Sequence, residues 1–190
     1  MLFRSAQVAW EAGAIYGGLI FVASSPRAVD DQQAQAVMAA APLSYVGVFR
    51  DAAIEEVVTR ATNLKLAAVQ LHGSEDQAWI DALRAALPEQ IQIWKALSVG
   101  ETLPPRNLNH VDRYVFDNGQ GGSGQRFDWS LLQGQDLRNV MLAGGLSADN
   151  CVEAAKSGCA GLDFNSGVES QPGIKEASLV AAVFQTLRAY

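Results

Sequence analysis

The sequence is poor in cysteine, in basic charge and in long apolar runs. Its 190 residues include two cysteines, Cys151 and Cys159, which are too few for a disulfide framework or a cysteine-rich metal centre. Lys and Arg number 14 against 20 Asp and Glu, so the formal net charge is −6. The basic residues are scattered along the chain, which excludes the basic stripe that a nucleic-acid-binding protein needs.

No apolar run near the N-terminus is long enough to cross a bilayer. The longest extends from Ala14 to Ala23, whereas a transmembrane helix needs about 20 apolar residues. The opening residues, MLFRSAQVAWEAG, lack the order of charge, apolar segment and small residues that marks a secretory signal. We therefore expect a cytoplasmic protein without a membrane partner, folded as a single domain over residues 1–190.

Short apolar runs alternate with amphipathic stretches along the whole chain. The runs are continuous and rich in Val, Ile, Leu and Phe, which is typical of parallel strands buried on both faces. We predict strands within residues 14–21, 45–49, 67–73, 91–98, 113–118, 139–145 and 160–166. We predict helices within residues 4–13, 30–41 (capped by Asp30), 51–65, 74–87 (capped by Ser74), 147–158 and 175–190.

This alternation indicates an α/β fold, and two architectures compete. One is a doubly wound open sheet and the other is a (β/α)8 barrel. The chain opens with a helix, so the strand that should precede this helix is not in the sequence. Seven predicted strands plus that one make eight, which favours a (β/α)8 TIM barrel lacking its first strand.

Polar residues and glycines follow several of the predicted strands. In a barrel the chemistry collects at these carboxyl ends, and the residues found there are Arg27, His72, Asp117, Gly144, Gly145 and Asp163. The turns AGGLS and FNSGVE, after the last two predicted strands, offer backbone N–H groups without obstructing side chains. They predict a phosphate site, because anions bind such glycine-rich turns; two ordinary tight turns are the alternative.

The glycine loop after Asp117 matches a dinucleotide-binding motif, but its context does not fit. GQGGSG spans Gly119 to Gly124, whereas the dinucleotide fingerprint belongs to the first strand–helix turn of its fold. We interpret the loop as a flap that folds over a ligand, with a slack surface loop as the alternative. Asp117 at its base is a candidate general acid, with a turn cap as its alternative.

Four motifs together closely resemble phosphoribosylanthranilate isomerase. They are FVASSPR, VFDNGQGGSGQRFDW, LAGGLSADN and GLDFNSGVESQPGIKE, and they occur in the family's order. The resemblance is strongest to the C-terminal domain of bifunctional enzymes that join this isomerase to indole-glycerol-phosphate synthase. It implies a (β/α)8 barrel that performs an Amadori rearrangement in tryptophan biosynthesis, with no metal or organic cofactor and a small phosphorylated substrate.

The resemblance also assigns roles to individual residues. Asp117 would be the general acid that protonates the ribose ring oxygen. The substrate would contact Arg27, His72, Asp163 and the loop glycines Gly121 and Gly122. The phosphate would be held by Gly144, Gly145, Asn165, Ser166 and Gly167.

The family's general base is a Cys at the end of the first strand, in a K-x-C-G motif. No such motif occurs in the 190 residues, and by their predicted places neither Cys151 nor Cys159 can stand in. We therefore expect this chain alone to be unstable or aggregation-prone and nearly inactive. The alternatives are a non-catalytic phosphate-binding remnant, a fragment that needs complementation by another chain, or a different phosphate-binding barrel enzyme.

Overall fold

The computed structural model describes residues 3–119 and 126–190, which fall into two compact units. Unit 1 comprises Met1–Lys95 and Asn107–Asp112, and unit 2 comprises Ala96–Arg106 and Arg113–Tyr190. The predicted extent of one domain over residues 1–190 stays a prediction. The predicted loop glycines Gly121 and Gly122, together with most of the predicted flap, lie outside the described residues.

Unit 1 alternates helices and parallel strands. Its elements are α1 (Phe3–Ala12), β1 (Tyr16–Ile20), α2 (Asp31–Ala40), β2 (Ser44–Phe49), α3 (Ile54–Asn63), β3 (Ala68–Leu71), α4 (Gln77–Ala86) and the start of β4 (Gln92–Ser98). β1 pairs with β2, β2 with β3 and β3 with β4, all in parallel. The strand order follows the chain without the reversal that marks a doubly wound sheet, so this unit favours the barrel-type connection.

Unit 2 continues the alternation with shorter elements. They are β5 (Arg113–Asp117), β6 (Val140–Leu142), α5 (Cys151–Ala155), β7 (Gly161–Leu162), the antiparallel hairpin β8 (Glu169–Gln171) and β9 (Ile174–Lys175), and α6 (Ala177–Ala189). Two short 3-10 helices cover Trp129–Leu132 and Ser166–Val168. β5 pairs with β6 and β6 with β7, again in parallel and in chain order. All seven predicted strands are confirmed, and the hairpin was not predicted.

The core of unit 1 forms where strands and helices present apolar side chains to one another. Phe49 on β2, Leu71 on β3, Ile80 on α4 and Ile93 on β4 are fully shielded from solvent and belong to one cluster. Each fully buried side chain of this size stabilises the fold by about 1.5–3 kcal/mol. The cluster thus fixes the strands whose carboxyl ends carry the polar residues.

Side-chain caps hold the starts of α2 and α4, whereas α3, α5 and α6 begin without a side-chain cap hydrogen bond. Asp30 caps α2 as predicted, with Gln33 completing a capping box. The cap of α4 is Asp76, which accepts the Trp79 N–H, and the predicted Ser74 instead donates to a neighbouring loop. α1 begins at Phe3 and α5 at Cys151, so α5 is shorter than the helix predicted over residues 147–158.

Candidate functional site

Asp117 is the last residue of β5 and its side chain is half-buried. Its carbonyl accepts the Val99 N–H at 2.7 Å, and its Oδ1 accepts the Asn118 N–H at 2.6 Å. Gly119 follows with φ +78, and a Cβ there would lie 2.8 Å from Ser98 Oγ. The backbone therefore makes a left-handed turn that needs glycine two residues after the carboxylate.

Asp163 lies just beyond β7, where its N–H donates to the Leu142 carbonyl at 2.8 Å. Desolvation by the surrounding protein raises the pKa of Asp163 above its ordinary value. Lys175 opposes this rise in pKa and the negative charge of Asp117 adds to it. Solvent still reaches the Asp163 carboxylate, so water moderates the desolvation. The charge of Asp117 thus affects the pKa of a second carboxyl group in unit 2.

The first glycine turn follows β6 and is held by an asparagine. Gly144 and Gly145 adopt φ of 84 and 67, a region that residues with a Cβ rarely occupy. Asn150 spans the turn, since its Nδ2 donates to the Gly145 carbonyl at 2.9 Å and its Oδ1 accepts the Ser147 N–H at 2.9 Å. The turn is therefore rigid and lined by main chain.

The second glycine turn, Asn165 to Gly167, lies directly against the first. A Cβ on Gly167 would overlap the carbonyl oxygen of Leu146. The two backbones can approach this closely because position 167 has no side chain. All five residues predicted to hold phosphate therefore lie in two adjoining turns of unit 2.

A buried lysine ties the second turn to the β8–β9 hairpin. Lys175 Nζ donates to the Asn165 carbonyl at 2.8 Å and to Asn165 Oδ1 at 2.7 Å. It also forms an ion pair with Glu169 Oε1 at 3.0 Å. Sequence reasoning missed both charged residues; a signal for them was the pair of charges flanking the short QPG turn.

Arg27 and His72, the other predicted substrate contacts, lie at strand ends of unit 1. The half-buried Arg27 lies in the loop after β1, where its N–H donates to Ser25 Oγ at 3.2 Å. His72 follows β3, its N–H donates to the Phe49 carbonyl at 2.8 Å, and its Nε2 lies 2.5 Å from the Gln70 side-chain nitrogen. The structure thus groups these two residues with unit 1 and the other described candidates with unit 2.

A buried ion pair beside His72 was also missed. Lys95 Nζ lies 2.7 Å from Glu75 Oε2, and the two side chains are 6% and 2% exposed. Glu75 accepts the N–H groups of Asp51 and Gly73, each at 2.9 Å, while Lys95 donates to the Gly73 carbonyl at 2.7 Å. A lysine inside the apolar run IWKAL was the available signal, because a buried cation needs a partner.

Both cysteines are poorly suited to act as a thiolate base. Cys151 is buried at the start of α5 with its Sγ 3.5 Å from the Ala148 carbonyl, and Cys159 Sγ lies 3.2 Å from Ser157 Oγ. Burial raises the pKa of both thiols, which disfavours the reactive thiolate. Neither cysteine lies at the carboxyl end of a strand.

No helix within residues 3–119 and 126–190 is long and apolar enough to cross a membrane. In the same described ranges, no group of three or more His, Cys, Asp or Glu side chains could hold a metal ion.

Comparison with known proteins matches this chain to one family. A family described as N-(5'phosphoribosyl)anthranilate (PRA) isomerase matches residues 3–186. The tryptophan biosynthesis protein TrpCF of Salmonella typhi is 70% identical over 98% of this chain, which spans 41% of that relative's length.

Solved structures are similar over almost their whole length. The phosphoribosyl anthranilate isomerase of Thermus thermophilus has a TM-score of 0.86 and 30% identity, with 98% of this chain and 94% of that chain covered. A phosphoribosyl anthranilate isomerase in complex with reduced 1-(o-carboxyphenylamino)-1-deoxyribulose 5-phosphate has a TM-score of 0.82 and 26% identity, with 99% and 94% covered. On the matched sequence and the shared fold, this chain belongs to the phosphoribosylanthranilate isomerase family.

Proposed function

We propose that this chain is an isomerase domain that converts N-(5-phosphoribosyl)anthranilate to 1-(2-carboxyphenylamino)-1-deoxyribulose 5-phosphate in tryptophan biosynthesis. The observation that carries the proposal is the meeting of two backbone-lined turns in unit 2, where Gly167 lies against Leu146. Asp117 ends β5 and Asp163 follows β7, and both strands pair with β6 in the same unit. The negative charge of Asp117 contributes to the raised pKa of Asp163. A phosphate cradle beside two carboxyl groups suits a phosphorylated sugar that must be protonated and deprotonated.

Asp117 is the proposed general acid. Its Oδ1 accepts the Asn118 N–H, so the transferable proton of the neutral form would sit on Oδ2. Protonation of the ribose ring oxygen lets the C1–O bond break and leaves a Schiff base between C1 and the anthranilate nitrogen. Removal of the C2 proton then gives an enolamine that tautomerises to the ketone. Arg27 and Asp163 are proposed to contact the anthranilate, His72 to lie near it, and the two turns to hold the phosphate.

The base that takes the C2 proton is proposed to lie on a strand outside the 190 residues. The family resemblance gives this base as a Cys, and the raised pKa values of Cys151 and Cys159 argue against either as a substitute. We propose a (β/α)8 barrel whose first strand pairs with β1. Among the described strands, β1 pairs with β2 alone, so its other edge is where we propose that the first strand pairs. Without a general base, turnover by this chain alone falls by about 10²–10⁴-fold.

The intact protein is proposed to be larger and bifunctional. Because the chain spans 41% of the Salmonella relative's length, we propose that an indole-glycerol-phosphate synthase domain accompanies it. We also propose that the protein is cytoplasmic. No organic cofactor enters the proposed reaction, since both proton transfers use side chains.

The test follows the loss of substrate fluorescence during isomerisation. Three chains are compared: the 190 residues, the same chain with an added N-terminal strand carrying the K-x-C-G motif, and that extended chain with the Cys changed to Ala. We expect turnover by the extended Cys chain alone, and loss of about 10²–10⁴-fold when Asp117→Asn is introduced into it.

Each other outcome has a distinct meaning. Equal turnover by the 190 residues would refute the account of the base. Absence of turnover in every chain, with phosphate still bound, would favour the non-catalytic binding remnant.

A further inference from the structure

We propose that Lys175 is a positioning residue of the isomerase: it fixes the second phosphate turn, Asn165 to Gly167, and places a positive charge beside that turn. This inference rests on the proposed function and adds a residue that the family resemblance did not assign. It also gives a role to the β8–β9 hairpin, which the proposed chemistry does not otherwise use.

The hydrogen bonds of Lys175 point at the turn. Its ammonium group has three donors, and three acceptors lie within reach: the Asn165 carbonyl at 2.8 Å, Asn165 Oδ1 at 2.7 Å and Glu169 Oε1 at 3.0 Å. Two of the three belong to the first residue of the turn. The side chain is 7% exposed, so the action assigned to Lys175 passes through Asn165.

The hairpin holds Lys175 in this place. Glu169 and Lys175 are register partners across β8 and β9, and the Glu169 side chain is 4% exposed. Glu169 Oε1 also accepts the Gly173 N–H at 3.2 Å, while the Glu176 N–H donates to the Val168 carbonyl at 2.9 Å. The carboxylate that accepts from the lysine is therefore held by the hairpin turn at Gly173, and the base of the hairpin is closed by the Glu176–Val168 bond.

A buried ion pair is not the most stable way to join two strands, because desolvation offsets much of the Coulomb attraction. An apolar pair of the same size would hold the hairpin as well. What an apolar pair could not supply is a positive charge beside a carboxylate. The positive charge of Lys175 lowers the pKa of Asp163, and the negative charge of Asp117 raises it. The hairpin thus both holds the second turn and places the positive charge of Lys175 beside it.

The first experiment measures inorganic phosphate binding by phosphorus NMR titration, with the chain extended by the K-x-C-G strand as the parent. Lys175→Met removes the charge at similar length, Lys175→Arg keeps it, and Lys156→Met is the control, because Lys156 is an exposed lysine of the same unit that faces Tyr190. We expect Lys175→Met to weaken phosphate binding by about tenfold or more. Lys175→Arg should recover most of the affinity, and the Lys156→Met variant should bind like the parent.

The second experiment follows the titration of the Asp163 carboxyl carbon by NMR. Loss of the cation leaves burial and the Asp117 charge, and both raise the pKa of Asp163. The midpoint should therefore move to higher pH in Lys175→Met and stay near the parent value in Lys175→Arg. A purely structural lysine would not move this midpoint in that pattern.

The outcomes separate this inference from the function on which it rests. If the parent chain binds no phosphate, the phosphate site and this inference are both refuted. If the parent binds and Lys175→Met binds equally well with an unmoved Asp163 midpoint, the inference alone is refuted. If Lys175→Met does not fold, the double variant Glu169→Leu/Lys175→Met removes both charges together, and parental phosphate affinity in it would overturn the inference.

Discussion

Removal of Lys95 should strand a buried carboxylate. In Lys95→Met, Glu75 keeps the two N–H donors at Asp51 and Gly73 but loses its cation at 2.7 Å. With its side chain 2% exposed, Glu75 has little access to water. Breaking such a pair from one side costs about 3–5 kcal/mol, a large part of the total of about 5–15 kcal/mol that stabilises a domain.

A double-mutant cycle also replaces Glu75, the carboxylate left without a counter-ion. Glu75→Gln alone leaves the Lys95 ammonium without its counter-ion and should cost a similar amount. In the double variant both charges are gone, and what remains is a few lost hydrogen bonds at about 1 kcal/mol each and one unsatisfied N–H at about 1–3 kcal/mol. The double variant should thus be more stable than the sum of the single changes by several kcal/mol.

The assay is urea denaturation of the four chains, with the free energy of unfolding taken from each transition. Arg126 and Glu153 provide a control of the same 2.7 Å separation, but their side chains are 50% and 59% exposed. Coupling in that cycle should be about 1 kcal/mol or less. A buried cycle with no greater coupling than the exposed one would refute the argument that burial makes the Glu75–Lys95 pair interdependent.

Three other changes test separate parts of the structure. Gly167→Ala should abolish phosphate binding in the NMR titration because its Cβ would force the two turns apart. The control Gly158→Ala adds backbone strain at φ 76 but meets no atom within 4 Å, so it should leave phosphate binding intact. Equal binding by both variants would contradict the close approach of the two turns. Lys65→Gly should raise the thermal midpoint by relieving φ 51 after α3, a gain of up to about 1 kcal/mol, and a lowered midpoint would refute it. Asp163→Asn should be more stable than the parent at neutral pH. Because the pKa of Asp163 is raised in the folded state, that state binds the proton more tightly than the unfolded state does. The stability of the parent therefore falls as pH rises from the ordinary aspartate pKa through the folded-state pKa. Urea titrations of both chains should converge at pH below that window, and a constant difference would contradict the sign.

The strands were predictable because their signal is local and strong. A run such as YVGVF is apolar on both faces, and only a strand buried on both sides accommodates it. Asp30 was a reliable cap because its side chain and Gln33 satisfy each other's backbone N–H groups. Ser74 was not a reliable cap, because its hydroxyl donates a hydrogen bond to Asp51. Asp51 is 23 positions away, and a local sequence pattern does not include it.

The candidate site was predictable where backbone freedom leaves a mark in the sequence. The paired glycines Gly144 and Gly145 indicate a left-handed turn by themselves. The contact between Gly167 and Leu146 depends on how neighbouring strands end, and no local pattern reports it. The same holds for Lys175 and Glu169, whose partnership follows from a hairpin of two very short strands. Sequence pattern thus indicated the turns but not what supports them.

The two glycine turns have a consequence for how this site can be mapped. A scan that truncates each side chain to alanine detects residues by what is taken away, and at Gly144, Gly145 and Gly167 there is nothing to take away. Truncating Ser166 would leave its N–H group in place. Such a scan would therefore detect Asn165, whose Oδ1 it removes, but would miss the main-chain part of the proposed phosphate cradle. Only substitutions that add atoms, or that replace an amide by an ester, can reveal its contribution.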